Sequence, residues 1–176
     1  ILKAGGASPE ALATQRKMQE TLFEIVDRTP DNAAALAAME KAVAELSKSL
    51  DNESRKAFEE QGGQMTARLK MITGNWFRFF LKYDPREAAA KVKCPVLALN
   101  GEKDLQVLPK ENLAALEAAL KKADNRDFEV RELPGLNHLF QTCETGHLAE
   151  YGRIEETISP KVLETIGDWI SKRMRP

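Results

Sequence analysis

Apolar residues along the first third of the chain recur at alternating spacings of three and four, which predicts helices over most of residues 8–73. Ser8-Pro9 supplies an N-cap followed by proline at the first helical position, where a missing N–H costs nothing. Leu12, Leu22, Ile25 and Val26 follow, and this first helix should end near Arg28. Thr29-Pro30 repeats the start signal, and Leu36, Met39, Val43, Leu46 and Leu50 form one stripe that needs a partner helix. A polar turn at 51–54 precedes a third helix carrying Ala57 and Phe58. Gly62-Gly63 should break it before Met65, Leu69 and Ile72 resume the pattern. The expected product is a small antiparallel helical layer.

From residue 75 the pattern changes. Trp76, Phe77, Phe79 and Phe80 place four aromatic side chains within five positions, more than one helical face needs for burial. Asp84-Pro85-Arg86-Glu87 has the form of a capping box and opens a short helix ending near Lys91. Cys94-Pro95 stops it, and Val96, Leu97, Ala98 and Leu99 form a continuous apolar run, the signature of a parallel strand covered on both faces. Pro109 opens a helix with Leu113, Leu116 and Leu120 on one side, and Phe128 to Leu133 alternates as a second strand. Ser159-Pro160 caps a last helix whose buried face is expected to be Val162, Leu163, Ile166, Trp169 and Ile170. The second half therefore reads β-α-β-α, an α/β arrangement of parallel strands with flanking helices. In such a unit both strands end on one edge of the sheet, which puts Asp104 and His138 side by side.

Composition narrows the field without choosing a function. With 43% hydrophobic and 30% charged residues and a net charge of −1, the 176 residues are those of an ordinary globular chain. Basic and acidic residues are interspersed, as in KENLAALEAALKKADNRD, so no basic stripe invites nucleic acid or a membrane surface. No apolar run approaches the ~20 residues of a membrane span. Cys94 and Cys143 read as two buried or half-buried thiols rather than a disulfide, which leaves the compartment open. The chain opens on Ile1 rather than Met, as expected of a fragment or a processed product.

Asp104 and His138 are the candidate chemistry. A carboxylate that accepts the Nδ1 proton of an imidazole fixes its tautomer and stabilises the imidazolium formed when the other nitrogen takes a proton from a serine. A nucleophile on a strained strand-to-helix turn is missing. The nearest match, Gly6-Ala7-Ser8-Pro9-Glu10, has Glu10 where a small residue is needed, so Ser8 reads as a helix cap. His138, Cys143, Glu144 and His147 include metal-ligand types, yet their spacing fits no common zinc pattern, and neither a metal nor another cofactor is expected. Cys143 lies downstream of the histidine with no elbow and reads as a passive thiol. Trp76, Phe77 and Phe80 are candidates for lining an acyl pocket, with packing of a cap on a core as the competing reading.

The stretches WFRFFLKYDP, CPVLALNGEKDLQV, PKENLAALEAAL, ELPGLNHLFQ and EYGRIEETISPKVLETIGDWI resemble the C-terminal half of α/β-hydrolases of the bacterial serine-esterase and serine-aminopeptidase-like branch. The resemblance covers residues 75–172, and the helical segment before it is similar to that family's cap. It implies that Gly101 and Asp104 match a G-x-x-D motif carrying the triad acid, and that Gly135 and His138 match a G-x-x-H motif carrying the base. It also implies a C-terminal α/β-hydrolase fragment: residues 1–7 a remnant of a core strand, 8–74 a helical cap and 75–176 the end of the catalytic core. The family's serine elbow and oxyanion loop precede the cap, so the nucleophile is expected outside this chain, which alone would be inactive. A carboxylesterase acting on a small-molecule ester is the implied parent, with peptidase and acyltransferase as other members of the fold. The alternative is a non-catalytic interaction or dimerising module, forming a homodimer through an exposed sheet edge.

Overall fold

The computed structural model describes residues 5–48, 50, 55 and 62–174, and the chain divides into two compact units, Ala7–Tyr83 and one built on Asp84–Pro176. The expected turn at 51–54, the helix carrying Ala57 and Phe58, and most of the strand remnant at 1–7 lie outside the described residues.

In the first unit, helix α1 (Pro9–Arg28) begins as expected, with Ser8 Oγ accepting the Ala11 N–H at 3.1 Å and Pro9 in the first turn. Thr29 does not start the next helix. Its N–H closes α1 on the Ile25 carbonyl at 2.9 Å, and α2 (Asn32–Lys48) starts after Asp31, whose carboxylate accepts the Ala34 N–H at 2.7 Å. A carboxylate at a helix N-terminus caps better than a threonine hydroxyl, which moves the start two residues. Helix α3 (Gly62–Thr73) begins at Gly62, and α4 (Asn75–Lys82) follows after Gly74. Leu22, Val26, Met39, Val43 and Leu69 form the core, with Met18, Leu36, Met65, Ile72 and Leu81 packed on it. The described helices of this unit therefore share an apolar centre of their own.

The division between units falls after Tyr83 rather than at 74/75, so the aromatic helix α4 belongs with the helices. Two contacts explain this. The Phe77 ring centroid is 5.7 Å from that of Phe23, and the Arg78 guanidinium donates to the carbonyls of Val26, Thr29 (2.7 Å) and Thr73 (3.1 Å) and to Asn32 Oδ1 (3.0 Å). Those carbonyls end α1 and α3, where unpaired C=O groups and the helix dipole both favour a cation.

The second unit runs α5 (Pro85–Ala89), β1 (Val96–Gly101), α6 (Pro109–Lys122), β2 (Phe128–Leu133), a 3-10 helix (Leu148–Arg153) and α7 (Pro160–Met174). Asp84 caps α5, accepting the Arg86 N–H at 2.9 Å. The strands pair in parallel, in register from Val96 opposite Phe128 to Gly101 opposite Leu133, so the unit is mixed α/β with a two-stranded sheet and flanking helices. Helix α6 packs on both strands and buries Ala119 and Leu120. Leu133, Leu136 and Val162 form a core cluster with Leu99, Phe140, Ile158 and Ile166 around it. Asn125 Nδ2 ties the end of α6 to the start of β1 through the carbonyls of Val92 (3.1 Å) and Cys94 (2.9 Å).

Three expectations about burial need correction. In β1 only Ala98, Asn100 and Gly101 are buried, while Val96, Leu97 and Leu99 are half-buried. On α7, Val162 is buried and Ile166 and Trp169 are half-buried, but Leu163 and Ile170 are 55% and 44% exposed. Among the described residues, Val162 and Ile166 are the parts of the α7 stripe that meet the Leu133–Leu136 cluster, which leaves Leu163 and Ile170 uncovered. Cys94 is exposed because it precedes the strand, Cys143 is half-buried, and both are free thiols. Among the described residues no helix is long and apolar enough to cross a membrane.

Candidate active site

Both strands of the parallel pair end on one edge of the sheet, and the loops that follow deliver the two side chains. The turn after β1 returns the Asp104 N–H to the Gly101 carbonyl at 3.1 Å. The loop after β2 is drawn against that turn by the Glu102 N–H on Leu133 O, the Lys103 N–H on Leu136 O, both 2.9 Å, and the Gly135 N–H on Glu102 Oε2 at 2.8 Å. Such closeness requires Gly101. A Cβ there would stand 2.5 Å from the Asn137 carbonyl oxygen and closer still to that of Leu136. Gly135 serves differently: its φ of +73° lies in the left-handed region, which glycine enters without steric cost.

His138 Nδ1 lies 2.9 Å from Asp104 Oδ2. The other carboxylate oxygen, Oδ1, accepts the N–H groups of Gln106 (2.8 Å) and Val107 (2.9 Å), and Asn100 Nδ2 also donates to Oδ2 at 3.0 Å. The carboxylate is buried, with its side chain 5% exposed, whereas the imidazole is 36% exposed. Burial alone would push the Asp104 pKa up, but the Val107 N–H, the His138 ring and the Gln106 N–H together outweigh it and hold the carboxyl below its ordinary value. An ionised carboxylate only accepts, so Nδ1 carries the proton, and neutral His138 presents the lone pair of Nε2. The arrangement can orient an imidazole and stabilise its protonated form.

Because the folded-state pKa of Asp104 is lowered, its ionisation favours the folded state above the unfolded value of about 3.9, and that gain disappears as pH falls through the lower folded value. Urea unfolding of the wild type and of Asp104→Asn from pH 7 to pH 2 should therefore show a stability difference that shrinks below about pH 4. A difference independent of pH would contradict the ionised, hydrogen-bonded state of this carboxylate.

The histidine loop is rigidly built. Asn137 is fully buried; its Oδ1 accepts the N–H groups of Leu139 (2.9 Å) and Gln141 (3.0 Å), and its Nδ2 donates to Gln141 Oε1 at 3.0 Å. Phe140 follows at φ +58°, an uncommon conformation for a bulky residue, with its N–H on Asn137 O and its carbonyl accepting the Ser159 N–H at 2.8 Å. Lys103 Nζ binds the carbonyls of Cys143 (3.1 Å) and Glu144 (2.7 Å), and Gln106 Nε2 reaches the Tyr151 hydroxyl at 3.2 Å. The long excursion between β2 and α7 is thus pinned to the Asp104 turn at several points.

The other candidates have partners of their own. Ser8 Oγ is occupied as the cap of α1. Burial, followed by the charge of Glu150, pushes the Cys143 thiol up, away from the thiolate, and its Sγ lies 3.6 Å from the Gly135 carbonyl. His147 Nδ1 accepts the Ala149 N–H at 3.2 Å and caps the 3-10 helix. Trp76, Phe77 and Phe80 belong to the helical unit, where Trp76 and Phe80 stack at 5.5 Å while 71% and 58% exposed, with Phe77 5.9 Å from Phe80. Reading the residues alone missed Asn100 and Asn137. The available signals were a polar residue closing an otherwise apolar strand, and an asparagine directly before the histidine. No family model, curated protein or solved structure matches this chain.

Proposed function

We propose that this chain carries the acid and base of a Ser-His-Asp relay in an α/β-hydrolase that cleaves carboxylic esters, with the serine supplied by residues outside this sequence. The observation that carries the reading is the 2.9 Å bond from His138 Nδ1 to a buried, ionised Asp104 at the C-terminal ends of two parallel strands. The close approach at Gly101 and the positive φ of Gly135 support it, since they give physical reasons for glycine at both motif positions. In the reaction, His138 Nε2 takes the serine proton as Oγ bonds to the ester carbonyl carbon. The imidazolium returns that proton to the departing alkoxide as the C–O bond breaks. Water, activated by the same nitrogen, then releases the acid from the acyl-serine. Asp104 stays ionised throughout.

A second reading, a non-catalytic interaction module, draws on Leu163 and Ile170, which stand exposed one heptad apart on α7. A fluorophosphonate probe, which reacts with activated serines, separates the two. Residues 1–176 alone should not label, whereas a longer polypeptide that includes the elbow serine should label stoichiometrically and lose labelling in His138→Ala. Labelling of Ser8, or none in the longer polypeptide, would overturn the enzymatic reading.

A further inference from the structure

We infer that Asn100 is the positioning residue of the relay: its carboxamide references the Asp104 carboxylate to the sheet and so holds Oδ2 opposite His138 Nδ1. The role assigned to Asn100 in turnover rests on the hydrolase reading above, but the geometry does not. Asn100 sits on β1 opposite Glu132, in the only sheet of the described residues, and is 8% exposed. Both hydrogens of its amide nitrogen are used, one on Asp104 Oδ2 at 3.0 Å and one on the Val107 carbonyl at 3.2 Å. Turning the amide over would set its oxygen against a carboxylate and a carbonyl, so its orientation is fixed by its surroundings.

The four donors around Asp104 have different origins. The Gln106 and Val107 N–H groups on Oδ1 belong to the same turn as Asp104 and move with it. His138 is the group being oriented. Asn100 is the donor rooted in a strand, whose backbone is held by the β2 ladder. It acts twice, because its second hydrogen closes the 104–107 turn at Val107. Without it the carboxylate keeps its two Oδ1 bonds but is free to rotate about them, and Oδ2 no longer has a fixed place. Its donation also shares the charge of the oxygen that faces the imidazole. The strand VLALNG gives this position its meaning: Asn100 is the polar side chain at the end of an apolar run, on the same face of β1 as buried Ala98.

The test uses nitrogen-detected NMR of His138 together with ester kinetics. In wild-type residues 1–176, neutral His138 should be in the Nδ1–H form, and both Asn100 amide protons should be slow to exchange, with scalar coupling across the hydrogen bond to the Asp104 carboxylate. In Asn100→Leu, which keeps the volume and removes the donor, the Nε2–H form should appear alongside it. In the longer, serine-containing polypeptide the same change should lower kcat about tenfold with KM nearly unmoved, the scale of one hydrogen bond lost from a reacting group. A folded Asn100→Leu with a wild-type tautomer would overturn the inference. Should that variant fail to fold, absence of the wild-type amide coupling to Asp104 would overturn it equally. A shifted tautomer in a polypeptide without esterase activity would defeat the hydrolase reading and leave the positioning role standing.

Discussion

On the hydrolase reading proposed above, replacing Asp104 with asparagine is expected to lower kcat by about 10³–10⁴-fold in a polypeptide that also supplies the serine, with a far smaller change in KM. The four donors around Asp104 dictate this outcome. Two backbone N–H groups face Oδ1, so the amide oxygen of an introduced asparagine must occupy that position. Its nitrogen then falls where Oδ2 was, facing Asn100 Nδ2 and His138 Nδ1. Two amide donors now confront each other, and the introduced N–H demands that Nδ1 accept. Neutral His138 is driven into the Nε2–H form, whose outward nitrogen has no lone pair for the serine proton. The substitution is close to isosteric, so fold and substrate binding should largely persist. Steady-state kinetics on a soluble ester, with the His138 tautomer read by NMR, check both halves. A folded Asp104→Asn variant with kcat within tenfold of wild type would remove Asp104 from the relay.

Some of this site was legible in the sequence because the topology left little freedom. An apolar run at 96–99 and an alternating run at 128–133, joined by a helix, yield parallel strands, and the residues just beyond their ends share one edge. Asp104 and His138 follow by three and five residues, too few to carry them elsewhere. What the sequence concealed depends on tertiary closeness. Asn100 looks like a turn residue until the 104–107 turn folds back over the strand end. Asn137 looks like a loop residue until five of its bonds converge inside the loop it organises. The apolar stripe of α7 was visible, but only Val162 and Ile166 of it meet the cluster around Leu133 and Leu136, so Leu163 and Ile170 were misjudged. That the aromatic helix packs with the helices before it was not legible, because the partners of Arg78, the carbonyls of Val26 and Thr29, lie about fifty residues earlier.

The second large effect is expected at Gly101. Alanine there should destabilise the second unit by about 1–3 kcal/mol, a cost typical of overpacking against atoms that cannot move. Its φ is not positive, so the penalty is one of space alone. The added methyl meets the carbonyl oxygens of Leu136 and Asn137, and both are held in place. Leu136 O accepts the Lys103 N–H at 2.9 Å, and Asn137 is locked by its N–H on Gln141 O at 3.0 Å as well as by its buried side chain. Relief must come from the whole histidine loop lifting off the strand end, which carries His138 away from Asp104 and couples lost stability to a lost tautomer preference. Two other glycines calibrate the result. Gly135→Ala meets no atom within 4 Å and should cost only the left-handed backbone penalty of roughly 1–2 kcal/mol, while Gly152→Ala meets nothing and has no positive φ, so it should be close to neutral. Urea unfolding read as midpoint at constant slope measures all three. If Gly101→Ala unfolded at the wild-type midpoint with His138 still in its Nδ1–H form, the close approach of the two loops could not be what holds Asp104 and His138 together.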